Sequence, residues 1–204
     1  MKKYLATVSI YLLCGVFANS HGQENTPELN LSDIAQLEQK FSASGDTKES
    51  GTKKKGKKRA PLPKLHYTIV SKQTDMVLSI HHGLKRDGET LLIWPNSMTD
   101  SQKWEIRPLE KQYIQLVAKH SGMPVGVKDS SKEEGAKVVQ LAETGKPEQI
   151  WKLEMDPDGY ARFRNQLTRK HLTIESQGQG AHLVQKRKLD SDAQKFRLVV
   201  VDFD

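Results

Sequence analysis

Residues 64–204 repeat three times with a period of 45–47 residues, and this constrains the fold more than any other feature of the chain. The copies run from 64 to 110, from 111 to 157 and from 158 to 204. Each opens with a tyrosine followed three places on by an apolar residue: Tyr67 and Val70, Tyr113 and Leu116, Tyr160 and Phe163. An alternating apolar pair comes next: Leu78 and Ile80, Val125 and Val127, Leu172 and Ile174. A glycine then precedes a second apolar pair: Gly88 with Leu91 and Leu92, Gly135 with Val138 and Val139, Gly180 with Leu183 and Val184. Each copy closes on Gln-x-aromatic, as Gln102 and Trp104, Gln149 and Trp151, Gln194 and Phe196. The short alternating runs between Gly-, Ser-, Asp- and Lys-rich turns predict strands with one face in and one face out.

Four short strands fit each copy. One copy alone cannot bury its inner face, but three around an axis can share a core. The reading is therefore all-β, with twelve short strands closed into a small barrel that leaves few exposed edges. A propeller of WD type has a similar repeat length but needs more blades.

These residues resemble the ricin B-type lectin family, whose fold is a β-trefoil with three Gln-x-Trp repeats. The resemblance spans residues 64–204, with Phe196 in place of the third Trp. It implies a carbohydrate-binding module, and the closing pairs Gln102–Trp104, Gln149–Trp151 and Gln194–Phe196 are expected to be architectural. In this family a sugar pocket combines an acid in the second strand, a stacking aromatic and a polar residue beside the closing Gln. Carboxylates bind paired hydroxyls well, and aromatic faces cover the C–H face of a pyranose. The acid position here holds Ser79, Gly126 and Thr173, and the stacking position Trp94, Leu141 and Lys186. The residue before the closing Gln is Ser101, Glu148 or Ala193. The first copy thus keeps the aromatic and Gln102 but lacks the acid, and the other two lack both. The carbohydrate-binding residues expected are Trp94, Gln102 and Ser79, with Asp87 and Asp100 as substitute acids from neighbouring loops. Trp94 reads equally well as an ordinary half-buried strand residue.

The first 63 residues differ in texture. Residues 1–22 join Lys2 and Lys3 to an apolar run from Leu5 to Phe17 and small residues at Ala18, Ser20 and Gly22. This predicts a secretory signal peptide, since the apolar run is too short to span about 30 Å of hydrocarbon. A lipoprotein signal using Cys14 is the weaker alternative, because the bulky Leu13 precedes that cysteine. The expected location is secreted or periplasmic. Residues 23–63 read as a flexible, disordered basic linker, too polar to offset its ordering entropy. Within it Leu31, Ile34, Leu37 and Phe41 recur at helical spacing, so 31–41 reads either as a transient helix in the tether or as a short helix that docks on a partner.

The formal net charge of +7 is local. Six basic residues lie in the run Lys53, Lys54, Lys55, Lys57, Lys58 and Arg59. Without that run and the signal peptide the protein has a net charge of −1. The run reads as a solvated tether, a protease-sensitive site, or an attachment to an anionic surface, which makes a protein-interaction or surface-binding scaffold the alternative function. No aromatics interleave the lysines, and export removes a nucleic-acid role. A chain with one cysteine has no disulfide framework and no Cys-rich zinc site, and the adjacent His81 and His82 read as a solvated hairpin loop. No nucleophile, base or paired-carboxylate arrangement emerges, so no catalytic residue, cofactor or metal is expected, and the protein reads as a monomeric non-enzyme.

Overall fold

The computed structural model describes residues 64–203. The expectations for the signal peptide, the linker, the helix over 31–41 and the basic run Lys53–Arg59 lie outside the described residues.

The described residues form twelve strands, four from each copy. The first copy supplies β1 (Leu65–Ser71), β2 (Val77–Ile80), β3 (Leu91–Trp94) and β4 (Trp104–Pro108). The second supplies β5 (Tyr113–Ala118), β6 (Val125–Val127), β7 (Val138–Gln140) and β8 (Trp151–Met155). The third supplies β9 (Ala161–Asn165), β10 (His171–Ile174), β11 (Leu183–Lys186) and β12 (Phe196–Phe203). The outer strands of each copy close a six-stranded antiparallel ring in the order β1, β4, β5, β8, β9, β12 and back to β1. The inner pairs β2–β3, β6–β7 and β10–β11 are hairpins that join one another through the bridges Thr90–Val139, Lys137–Val184 and Leu92–His182. This is the expected β-trefoil.

Trp104 and Trp151 are the largest core side chains, and with Phe196 they are fully buried. Each indole N–H donates to the second strand of its own copy: Trp104 Nε1 to the Leu78 carbonyl at 3.3 Å and Trp151 Nε1 to the Val125 carbonyl at 2.8 Å. Phe196 has no N–H and instead packs against Phe163, ring centroids 5.9 Å apart. The closing glutamines act alike. Gln102, Gln149 and Gln194 donate to the carbonyls of Pro95, Ala142 and Arg187, and accept from the N–H groups of Ser97, Thr144 and Leu189. Each amide therefore bridges the two ends of its loop, replacing the ladder partners those backbone groups lack.

The opening tyrosines are not equivalent. Tyr67 faces Trp104, whereas Ile114 faces Trp151 and Ala161 faces Phe196. His66, not Tyr67, therefore matches Tyr113 and Tyr160. The register between β1 and β12 shifts between His66 and Tyr67, and this bulge carries the one-residue offset that the sequence pattern conceals.

The junctions between copies follow one scheme. Gly88 N–H donates to Gln140 and Gln140 N–H to Glu89; Gly135 and Gln185 with Ala136, and Gly180 and Ile93 with Ala181, repeat it. At the first two junctions the glutamine side chain adds a clamp. Gln140 Nε2 donates to the carbonyls of Leu84 and Arg86, and Gln185 Nε2 to those of Ser131 and Glu133. At the third junction Ile93 holds this position, and the segment from Leu172 to Gly180 is two residues shorter than its counterparts. A shorter loop has no turn for a glutamine to hold.

Candidate functional site

The stacking positions sit at the ends of β3 and β11 and just after β7. Their surroundings differ because of what each acid position holds.

In the second copy the pocket is filled. A Cβ added to Gly126 stands 2.8 Å from Leu141 Cδ1, 2.9 Å from the Glu148 carbonyl oxygen and 3.2 Å from Gln149 Cγ. Leu141 therefore lies where a side chain at 126 would reach, and Glu148 is buried beside it. The third copy is committed differently. Thr173 Oγ1 donates to the His171 carbonyl at 2.8 Å and accepts from Gln194 Nε2 at 2.9 Å. Its hydroxyl and the glutamine amide satisfy each other, and the flat apolar face is replaced by Lys186.

The first copy is open. Trp94 retains 40% of its surface exposed at the end of β3. One edge of the indole rests on the third copy, with Cζ3 3.7 Å from where a Cβ on Gly180 would stand. Ser79, opposite Leu92 on the neighbouring strand, is buried, with its Oγ 3.4 Å from the Ile80 carbonyl. Ser101 packs against Gly83, and its hydroxyl pairs with that of Thr99 at 3.0 Å.

The remaining expected site residues each have partners of their own. Gln102 is buried and bound to its own loop at Pro95 and Ser97. Asp87 faces the second copy: its Oδ1 accepts from the Ala142 N–H, next to Leu141. Asp100 pairs with Lys103 at 3.4 Å and lines an open cleft with Lys85 and His120. Burial holds the His120 imidazole below its usual pKa, against the hydrogen bond with the Leu84 carbonyl. His81 and His82 form a short turn in which His81 Nδ1 bonds Glu89 Oε1 at 3.1 Å. Among the described residues no group of three or more His, Cys, Asp or Glu is placed to hold a metal ion. No described helix is long and apolar enough to cross a membrane.

A larger cleft of about 610 Å³ opens elsewhere, lined by Asp156, Asp158, Arg162, Lys188 and Lys195. Most of its charges are paired. Arg162 donates to both Asp156 oxygens at 3.0–3.1 Å, and Lys72 and Lys195 pair with Asp158. Lys72 also sits 4.5 Å over the Tyr160 ring. Arg162, Lys72 and Lys195 are thus paired within the protein, so the exposed indole, rather than this cleft, marks the candidate site.

Sequence reasoning missed the contribution of the third copy, which supplies the floor at Gly180. The signal was present as the two-residue shortening before Gly180 and as Ile93 where the other copies have Gln140 and Gln185.

Comparison with known proteins agrees with this geometry. A designed threefold-symmetric protein, ThreeFoil, superposes with a TM-score of 0.65 at 31% identity, over 66% of this chain and 97% of the designed one. An exo-β-1,3-galactanase from Clostridium thermocellum matches with a TM-score of 0.65 at 27% identity, over 67% of this chain but 30% of that enzyme. A Macrolepiota procera ricin B-like lectin, solved in complex with lactose, shares the fold with a TM-score of 0.57 at 14% identity, over 69% of this chain and 99% of the lectin. No curated protein matches the sequence. The family model described as ricin-type beta-trefoil lectin domain-like matches residues 59–141 and 100–186. With three hairpins on a closed barrel, three buried Gln-x-aromatic closures and this match across more than half of its length, the chain belongs to the ricin-type β-trefoil lectin family.

Proposed function

We propose that this protein is an exported, non-catalytic carbohydrate-binding module that engages its ligand mainly through the first copy. The observation that carries the reading is the exposed Trp94 indole, 40% accessible beside two copies whose pockets are occupied from within. A flat, exposed aromatic face suits a pyranose ring, because the indole covers the C–H face of the sugar. Without a carboxylate at position 79 the site lacks a charge-assisted acceptor, so affinity is weak and rests on stacking. The lactose complex of the Macrolepiota procera lectin and the galactanase relative support galactosides as the first ligands to try.

The test is calorimetric titration of the chain with methyl β-galactoside and lactose, alongside a glycan array. Trp94→Ala is expected to weaken binding by about 1–3 kcal/mol while leaving the thermal midpoint nearly unchanged, because the ring is half exposed. Binding that survives Trp94→Ala undiminished sinks the reading.

A further inference from the structure

The neighbourhood of Trp94 is unusual for its lack of charge. Charged residues make up 28% of the chain. Yet the loop from Trp94 to Thr99 contains none, and neither does the loop from Ser176 to Gly180 that touches it. The corresponding loops elsewhere are charged. Residues 141–146 carry Glu143 and Lys146, and 186–191 carry Lys186, Arg187, Lys188 and Asp190. The hairpin turns of the first two copies carry Lys85, Arg86 and Asp87, and Lys132, Glu133 and Glu134.

The junction also lacks a tie that the other two have. Asp87 Oδ1 accepts from the Ala142 N–H, and Glu134 Oε1 accepts from the Arg187 N–H at 2.9 Å. Both acids immediately precede the junction glycine. At the third junction the residue before Gly180 is Gln179, and the residue in the place of Ala142 and Arg187 is Pro95, which has no N–H. Gln179 is exposed, and its side chain has no hydrogen-bond partner among the described residues. Gln179 occupies the position of Asp87 and Glu134, whose carboxylates reach the residue after the stacking position at the other two junctions.

We propose that the ligand surface crosses the junction between the first and third copies: one sugar ring stacks on Trp94 and the next lies on the 176–180 loop, hydrogen-bonded by the Gln179 amide. The ligand class is an uncharged oligosaccharide of at least two rings. A glutamine amide offers both donors and an acceptor, as adjacent sugar hydroxyls require, and charge-free loops impose no penalty for desolvating an ion without a partner. The short third-copy loop makes this possible, because two more residues and an acid there would rebuild the turns seen at the other junctions. This inference rests on the proposed sugar-binding role of Trp94.

The experiment titrates methyl β-galactoside, lactose and β-1,3-galactotriose into the full chain and into Gln179→Ala and Trp94→Ala. Gln179→Ala is expected to weaken galactotriose binding about three- to tenfold and to leave the monosaccharide unchanged, the scale of one lost neutral hydrogen bond. Trp94→Ala weakens all three probes. If Gln179→Ala binds every probe as the parent does while Trp94→Ala does not, the shared surface is overturned and the stacking role stands. If Trp94→Ala changes nothing, both fall. Gln179 is exposed, so the variant folds, and an unchanged thermal midpoint checks that it has.

Discussion

Gly126→Ala probes directly whether the second pocket is closed. A single added methyl group at this site has three neighbours inside ordinary contact distance: Leu141 Cδ1 at 2.8 Å, the Glu148 carbonyl oxygen at 2.9 Å and Gln149 Cγ at 3.2 Å. Only Leu141 can move cheaply. The Glu148 carbonyl is held by Asn165 Nδ2 at 2.9 Å, and the Gln149 amide by the Ala142 carbonyl and the Thr144 N–H. Overpacking of this kind costs about 1–3 kcal/mol. Gly126 is not among the residues with positive φ, so alanine restricts the unfolded chain and returns about 0.4–1 kcal/mol. The net expectation is a loss of about 1–2 kcal/mol, or roughly 3–8 °C in the melting midpoint of a domain this size. Differential scanning calorimetry with urea titration measures it. Ser79→Ala, at the equivalent open position where Oγ makes only a 3.4 Å bond, is the control and should change stability by less than about 1 kcal/mol. Combining Gly126→Ala with Leu141→Ala should be less damaging than the two single losses added, because removing Leu141 relieves one of the clashes. A Gly126→Ala protein as stable as its parent refutes the claim that Leu141 and the Glu148 backbone fill this pocket.

Other consequences can be measured alongside. Trp151→Phe removes a buried 2.8 Å bond to the Val125 carbonyl and leaves a small void, at a cost of about 2–3 kcal/mol by chemical denaturation; Trp104→Phe, whose bond is 3.3 Å, costs less. Asp156→Ala strands the buried Arg162 guanidinium, which keeps only the Leu189 carbonyl and a 3.4 Å contact with Gln194, and should destabilise by about 2–4 kcal/mol. Acid should weaken the fold in two stages. Burial holds His171 and His120 below their ordinary value of 6.5, so the unfolded chain takes up these protons first and stability falls as pH drops below it. Burial opposes ionisation of Glu154, but hydrogen bonds from His171 and Arg164 outweigh it and hold the carboxyl below its usual 4.5, so its contribution is lost at lower pH still. His171→Gln should reduce the upper stage in a pH series of melting midpoints; an unchanged profile refutes the assignment.

Much of the architecture was legible because it depends on local chemistry repeated three times. Buried aromatics spaced one copy apart must meet in a common core, and a glutamine two residues before each can reach the loop ends, so Trp104, Trp151, Phe196 and their partners were readable as architecture. The register of the first strand was not. Tyr67 satisfies the tyrosine pattern by type, and only pairing with β12 reveals the bulge that shifts it by one. Trp94 was visible as an aromatic outside the closing pattern, but sequence could not separate an exposed platform from a half-buried strand residue. Asp87 shows why neighbours in sequence mislead: it sits in the turn of the first hairpin yet caps the backbone of the second copy, because adjacent hairpins interlock.

Sequence alone determined the threefold period, the all-β class, the closing aromatics and the absence of an acid at positions 79, 126 and 173, all of which follow from residue type and spacing. Tertiary structure decided which of the three pockets stays open. Occupancy depends on which side chains pack together within and between copies: Leu141 over Gly126 in the second, Thr173 against Gln194 in the third, and Gly180 of the third beneath the edge of Trp94. Such contacts form between segments far apart in the chain, where volume and hydrogen-bond geometry, rather than pattern, select the outcome.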